Sequence, residues 1–105
     1  MAATKENLVK KKVKDILDEQ RVYHFSPMQN GMGRAGIPDI IACHGGKFIG
    51  IECKAGSNKP TALQERELNR ILNAGGEAYV INEDNINQLR EELIWMNRHS
   101  KDDLL

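Results

Sequence analysis

Cysteine is scarce in this sequence. Cys43 and Cys53 are the only two, and neither stands in a C-x-x-C or zinc-ligand spacing, so neither a disulfide scaffold nor a structural zinc site is expected. No apolar run approaches the roughly 20 residues of a membrane-spanning helix. The opening stretch MAATKENLVKKK has no hydrophobic segment of the kind a secretory signal needs. A reducing, intracellular setting follows as the expectation, which for a viral protein means the host cytoplasm. Net charge is also missing: 15 basic residues balance 15 acidic ones. A nucleic-acid-binding module usually declares itself by an overall basic charge. Composition therefore gives no support to DNA binding, although local charge and bound cations leave it open. Repeats, low-complexity tracts and linkers are absent too, and 105 residues suffice for one domain with one modest core.

What is present is a regular alternation of periodic segments. Val9, Val13, Ile16 and Leu17 make a helical stripe over residues 5–20, with Thr4 as N-cap. Residues 22–25 read as a strand closed by Ser26-Pro27, followed by a glycine-rich loop over residues 29–36. Two strand-like runs, 37–43 and 47–54, flank His44-Gly45-Gly46, and a Gly-Gly pair between apolar runs signals a tight hairpin. A second helix is expected over residues 62–74. Thr61 and Gln64 have capping-box spacing at its start, and Gly75-Gly76 lie at its stop. Residues 78–81 read as a fourth strand. Residues 85–97 read as a last helix with Ile86, Leu89, Leu93 and Met96 along one side, before a polar tail from about residue 99. The predicted fold class is mixed α/β, with the order helix, three strands, helix, strand, helix, in one domain over 1–105.

The hairpin carries chemistry. With Gly45 and Gly46 as turn residues, opposed positions sum to 91, so Asp39 faces Glu52, and Lys54 follows two residues later on the same face. Opposed carboxylates repel and lose hydration when partly buried. A hard divalent cation would turn that repulsion into ligation. The alternative is a solvated face on which Lys54 simply pairs with Glu52. The same register places Cys43 and Cys53 on opposite faces, which argues against a disulfide. Both are expected as small core residues.

Ile37-Pro38-Asp39, followed after twelve residues by Glu52-Cys53-Lys54, resembles the motif of the PD-(D/E)xK nuclease superfamily, and the element order resembles its αβββαβ core. More narrowly, Gly36-x-Pro38-Asp39, Glu52-x-Lys54, Gln64 on the next helix and an acid on the first helix resemble the VRR-NUC (virus-type replication-repair nuclease) family. Its single-domain members are small, often viral, junction-resolving dimers. The resemblance implies that Asp39, Glu52 and the backbone carbonyl of Cys53 hold Mg²⁺ or Mn²⁺. It further implies that Lys54 orients the attacking water, that Gln64 supports the site, and that Glu6 is the helix-one acid. The substrate so implied is DNA, branched like a four-way junction, cut by a homodimer without an organic cofactor or a membrane.

Several residues carry two readings. Glu6 lies within the roughly 100° arc of the apolar stripe, as a site acid would, but an acid near a helix start also favours the helix dipole. Gln64 is fully explained by its capping position. Arg34 and, more weakly, Lys5 and Lys59 are candidate DNA contacts; the lysines at 5, 10, 11, 12 and 14 could meet phosphates, but a charge run on a helix is usually a solvated face. Trp95 and Met96 are assigned to core packing ahead of a subunit contact, and the three histidines receive no role. The rival functions are a nickase or flap nuclease of the same fold, a catalytically silent nucleic-acid-binding module, and an interaction protein with structural ion pairs.

Overall fold

The computed structural model describes residues 4–28 and 34–98. Its elements follow the expected order: α1 (Lys5–Glu19), β1 (Tyr23–Phe25), β2 (Ile40–His44), β3 (Lys47–Cys53), α2 (Ala62–Asn73), β4 (Glu77–Ile81) and α3 (Ile86–Arg98). Most of the glycine-rich loop and the polar tail fall outside the described residues. The sheet order is β1-β2-β3-β4, with β1–β2 and β2–β3 antiparallel and β3–β4 parallel. A parallel pair needs a crossover connection, and α2 is the helix in that connection.

Local chemistry fixes the ends of these elements. The Thr4 hydroxyl accepts from the Asn7 N–H and starts α1. At α2 the Thr61 hydroxyl accepts from the Gln64 N–H, and the Gln64 side-chain oxygen accepts from the Thr61 N–H at 2.9 Å, completing the box. Gly45 and Gly46 both take positive φ, at 58° and 80°. That is the requirement of a two-residue turn whose twist matches its strands. Gly45 is also closed against α3: a Cβ there would meet the Met96 carbonyl oxygen at 2.8 Å.

Two unequal faces result. On one, α1 and α3 cover Ile40, Ala42, Ile49, Ile51 and Cys53 with Val9, Val13, Ile16, Leu17, Leu89, Leu93 and Met96, forming the main core. Arg90 Nε donates to Glu19 Oε2 at 2.9 Å and ties the two helices together at their rim. The other face, carrying Ile41, Cys43, Phe48, Gly50 and Glu52 by the period of two, is covered only in part by α2. There Gly50 makes room for Ile71 and Pro38: a Cβ on it would lie 2.5 Å from Ile71 Cδ1. On this face Tyr23, Phe25 and Phe48 stay about half exposed or more.

Two packing expectations are corrected. Cys43 is exposed rather than a core residue, because it lies on the partly covered face between Tyr23 and Phe48. Trp95 is 57% exposed while Met96 is 6% exposed, since neighbouring helical positions differ by 100° and only Met96 continues the Leu89–Leu93 stripe. Cys53, by contrast, is fully buried as expected.

Gly36 fixes the approach to the hairpin. Its φ is +84°, and a Cβ would lie 2.4 Å from the backbone oxygen of Leu63 in α2. Gly36→Ala combines left-handed strain with a backbone clash and should cost about 3 kcal/mol. Gly46→Ala, at a similar φ but in open space, should cost only about 1 kcal/mol. Urea denaturation of the two variants checks the difference.

Candidate active site

The Gly36 turn delivers Pro38 and Asp39 to the start of β2. The strand begins at Ile40 rather than at residue 37, because Pro38 has no N–H to offer a ladder and Asp39 uses its side chain instead. Asp39 Oδ2 accepts from the Cys53 N–H at 2.8 Å, replacing the next rung of the hairpin. All five β2–β3 pairs, from Ile40↔Ile51 to His44↔Lys47, keep the expected register. Asp39 is therefore held opposite Glu52 by backbone pairing and by its own hydrogen bond.

Glu52 is only 1% exposed. Its Oε2 lies 3.5 Å from Lys54 Nζ, and its Oε1 is buried with no hydrogen-bond partner. Burial first, and the neighbouring Asp39 charge second, push the Glu52 carboxyl up to about 7 from its usual 4.5, with Lys54 acting in opposition. An orphaned carboxylate oxygen in such a place is expensive for folding. The three motif side chains thus converge as the hairpin geometry requires.

A fourth charged group was not anticipated. Lys10 of α1 places Nζ 3.3 Å from Asp39 Oδ1, so one lysine meets each carboxylate. Neither a phosphate contact nor a solvated face describes this lysine, whose side chain is 32% exposed and pairs within the site. The available signal was its wheel position. At 100° per residue it stands about 40° from Glu6, at the margin of the apolar stripe.

Glu6 is half buried in the first turn of α1, and its charge bears on the Cys53 thiol. That thiol is pushed up to about 12 by burial, then by Asp39 and Glu52, so it stays protonated and is no nucleophile. Among the described residues, no three or more His, Cys, Asp or Glu side chains gather as a metal-binding group. Glu6 is accordingly not assembled with Asp39 and Glu52 as a third ligand. Gln64 uses its side-chain oxygen in the capping box. Arg34 Nη2 pairs with Glu67 Oε1 of α2 at 3.1 Å. Lys5, at the start of α1, and Lys59, before α2, are exposed.

The donor set suits a hard cation: two carboxylates, one with a buried unpartnered oxygen, and no soft ligand free to compete. Asp39 and the Glu52 Oε1 atom are the side-chain groups that would hold it.

A mixed four-stranded sheet bearing Pro-Asp and Glu-x-Lys on one hairpin is the architecture of the PD-(D/E)xK nucleases. Residues 12–90 match the family described as archaeal Holliday junction resolvase (Hjc), and the chain belongs to that family. It is also similar to a protein of Acyrthosiphon pisum secondary endosymbiont phage 1 named "Putative nuclease p44", with 38% identity over 58 residues. That stretch is 54% of this chain and 62% of the phage protein, so the chain spans about three-fifths of the relative it matches. The family match contains Asp39, Glu52, Lys54 and Gln64 and begins after Glu6 and Lys10. No helix among the described residues is long and apolar enough to cross a membrane.

The Glu52 shift has a defined sign. With the folded value raised, the stability carried by neutral Glu52 is fully present below about pH 4.5, declines above it, and is lost as pH rises through about 7. The metal-free protein should melt several degrees higher at about pH 5 than at about pH 8, and Glu52→Gln should flatten that difference. Thermal denaturation in the presence of a chelator measures both. A separate expectation concerns Gln64→Ala, which should lower stability by about 1 kcal/mol through loss of the capping box. If cleavage falls far more than stability, Gln64 acts in the site as well.

Proposed function

We propose that this chain is a divalent-metal-dependent endonuclease that hydrolyses phosphodiester bonds in branched DNA, with four-way junctions as the preferred substrate. The observation that carries the reading is the Glu52 carboxylate, buried beside Asp39 with one oxygen unpartnered and Lys54 on the other. A purely structural ion pair does not call for a buried like-charged neighbour. The rival of a catalytically silent DNA-binding module gives the two acids no task. The family described as a junction resolvase favours four-way junctions over the nick and flap alternatives.

The roles follow from the geometry. Asp39 and Glu52, with the Cys53 backbone carbonyl, would hold Mg²⁺ or Mn²⁺, which when bound polarises a phosphoryl oxygen and acidifies water. Asp39 is kept in place by the Cys53 N–H and Lys10. Glu52 must be ionised to ligate, so metal binding would have to displace the proton that burial and Asp39 favour on it. Lys54, with Nζ beside Glu52, donates hydrogen bonds toward charge developing on the phosphate and orients the attacking water. Glu6, outside the ligand pair, contributes through the electrostatics of the α1 end of the site. Arg34, Lys5 and Lys59 are assigned to the DNA backbone. The G-x-P-D and E-x-K strings support closer kinship with the virus-type replication-repair nucleases, and the phage source of the similar protein agrees with it. The whole chain acts as one nuclease domain.

A four-way junction has approximate two-fold symmetry, so two copies of the chain related by a two-fold axis would make paired nicks across it. The exposed Tyr23 and Phe25 of the edge strand β1 are suited to burial against the second copy.

Cleavage of a panel of linear, nicked, flapped and four-way DNAs, with and without Mg²⁺ and Mn²⁺, tests the function. Asp39→Ala, Glu52→Ala and Lys54→Ala should each reduce metal-dependent cleavage by about 100-fold or more. Wild-type rates in Asp39→Ala place the chemistry elsewhere. A monomer in sedimentation that cuts linear and branched DNA equally refutes the junction-resolving dimer.

A further inference from the structure

Glu52 and Glu67 are the buried charged residues among the described residues, and only Glu52 belongs to the carboxylate site. Glu67 lies on α2 with its side chain 5% exposed, and three guanidiniums converge on it. Arg34 Nη2 is 3.1 Å from its Oε1, while Arg70 Nη1 and Arg66 Nη2 are 3.4 Å and 3.9 Å from its Oε2. Arg34 comes from the loop before β2 and the other two from α2 itself. A buried carboxylate is satisfied by one well-placed arginine. Three exceed that need and leave the cluster with a local excess of two positive charges.

The arginines are not enclosed. Their side chains are 52–61% exposed, and each guanidinium has more donors than a single carboxylate contact uses. Beside Arg34 and Arg70 opens a concavity of about 340 Å³, lined by these two arginines, Glu67, Phe48 and Ile71 among others, with Arg66 outside it. A half-exposed aromatic next to fixed guanidiniums suits a nucleotide, whose phosphate takes the charge and whose sugar or base takes the apolar wall. Four residues lie between Arg34 and Asp39, so their Cα atoms are at most about 18 Å apart. At about 3.4 Å rise per nucleotide, this amounts to five or fewer nucleotides of one strand.

We propose that Arg34, Arg66 and Arg70, spaced by the buried carboxylate of Glu67, form a phosphate-binding site for the DNA backbone a few nucleotides from the Asp39–Glu52 centre. The site rests on the DNA reading above and answers a difficulty in it, since a chain of zero net charge has weak non-specific affinity unless its positive groups are concentrated. Glu67 concentrates them and holds them apart from the acidic centre.

The test is equilibrium binding of the full chain to a fluorescent four-way junction, in a chelator so that no turnover occurs, over a salt series from about 50 to 200 mM. Arg66→Gln and Arg70→Gln should each weaken binding several-fold and reduce the slope of log K against log salt by about 0.9. The double variant should lose about 1.8. Arg34→Gln, which alters no helix, should behave like the single variants and keeps the test open should an α2 variant unfold. Unchanged slopes in folded variants overturn the proposal, as does sedimentation showing that the substitutions split a dimer, which would assign the cluster to a protein contact. Failure of the wild-type chain to cleave the junction with metal would refute the nuclease reading alone, because the slopes are measured without cleavage.

Discussion

Gly45 and Gly46 close the β2–β3 hairpin in a turn that only residues at ease with positive φ can make, and the resulting register is the constraint on which the site depends. Side chains alternate faces along a strand, so a slip of one residue would carry Asp39 and Glu52 to opposite sides. The register is defended at both ends. Gly45 is packed against the Met96 backbone at the turn, and Asp39 binds the Cys53 N–H at the open end. The second bond joins structure to chemistry, since the group that finishes the ladder is also one of the two acids.

The two sheet faces divide the work of stability and function. The face under α1 and α3 is filled with aliphatic side chains and holds the main core. The other carries a buried, partly frustrated acid, an arginine cluster and uncovered aromatics. The buried Glu52 oxygen without a partner is a folding cost, and proteins keep such costs where preorganisation for a ligand requires them. Lys10 and Lys54 limit the cost by each meeting one carboxylate. Two charges facing two opposite charges allow the pair of acids to exist without a cation.

Neutral composition concealed a strongly segregated charge pattern. Glu67 gathers Arg34, Arg66 and Arg70 at one place, while Asp39 and Glu52 sit with Lys10 and Lys54 at another. Sequence totals average over these groupings, because charges distant along the chain become neighbours only when the loop before β2 docks on α2. The Gly36 contact with Leu63 is the joint that brings them together.

The linear sequence by itself determined the helices, the strands and the hairpin register, since each depends on neighbours within a few residues: Thr61 with Gln64, the Val9–Leu17 stripe, the Gly-Gly turn. Asp39, Glu52 and Lys54 were legible for the same reason, being placed by alternation and a turn. The tertiary structure alone decided that Lys10 reaches Asp39, that Glu6 stands outside the acid pair, and that Glu67 collects three arginines. It alone decided that Cys43 and Trp95 are exposed while Cys53 is sealed in. Those outcomes turn on which face of the sheet each helix covers and how far it extends, a matter of long-range packing that local periodicity does not encode.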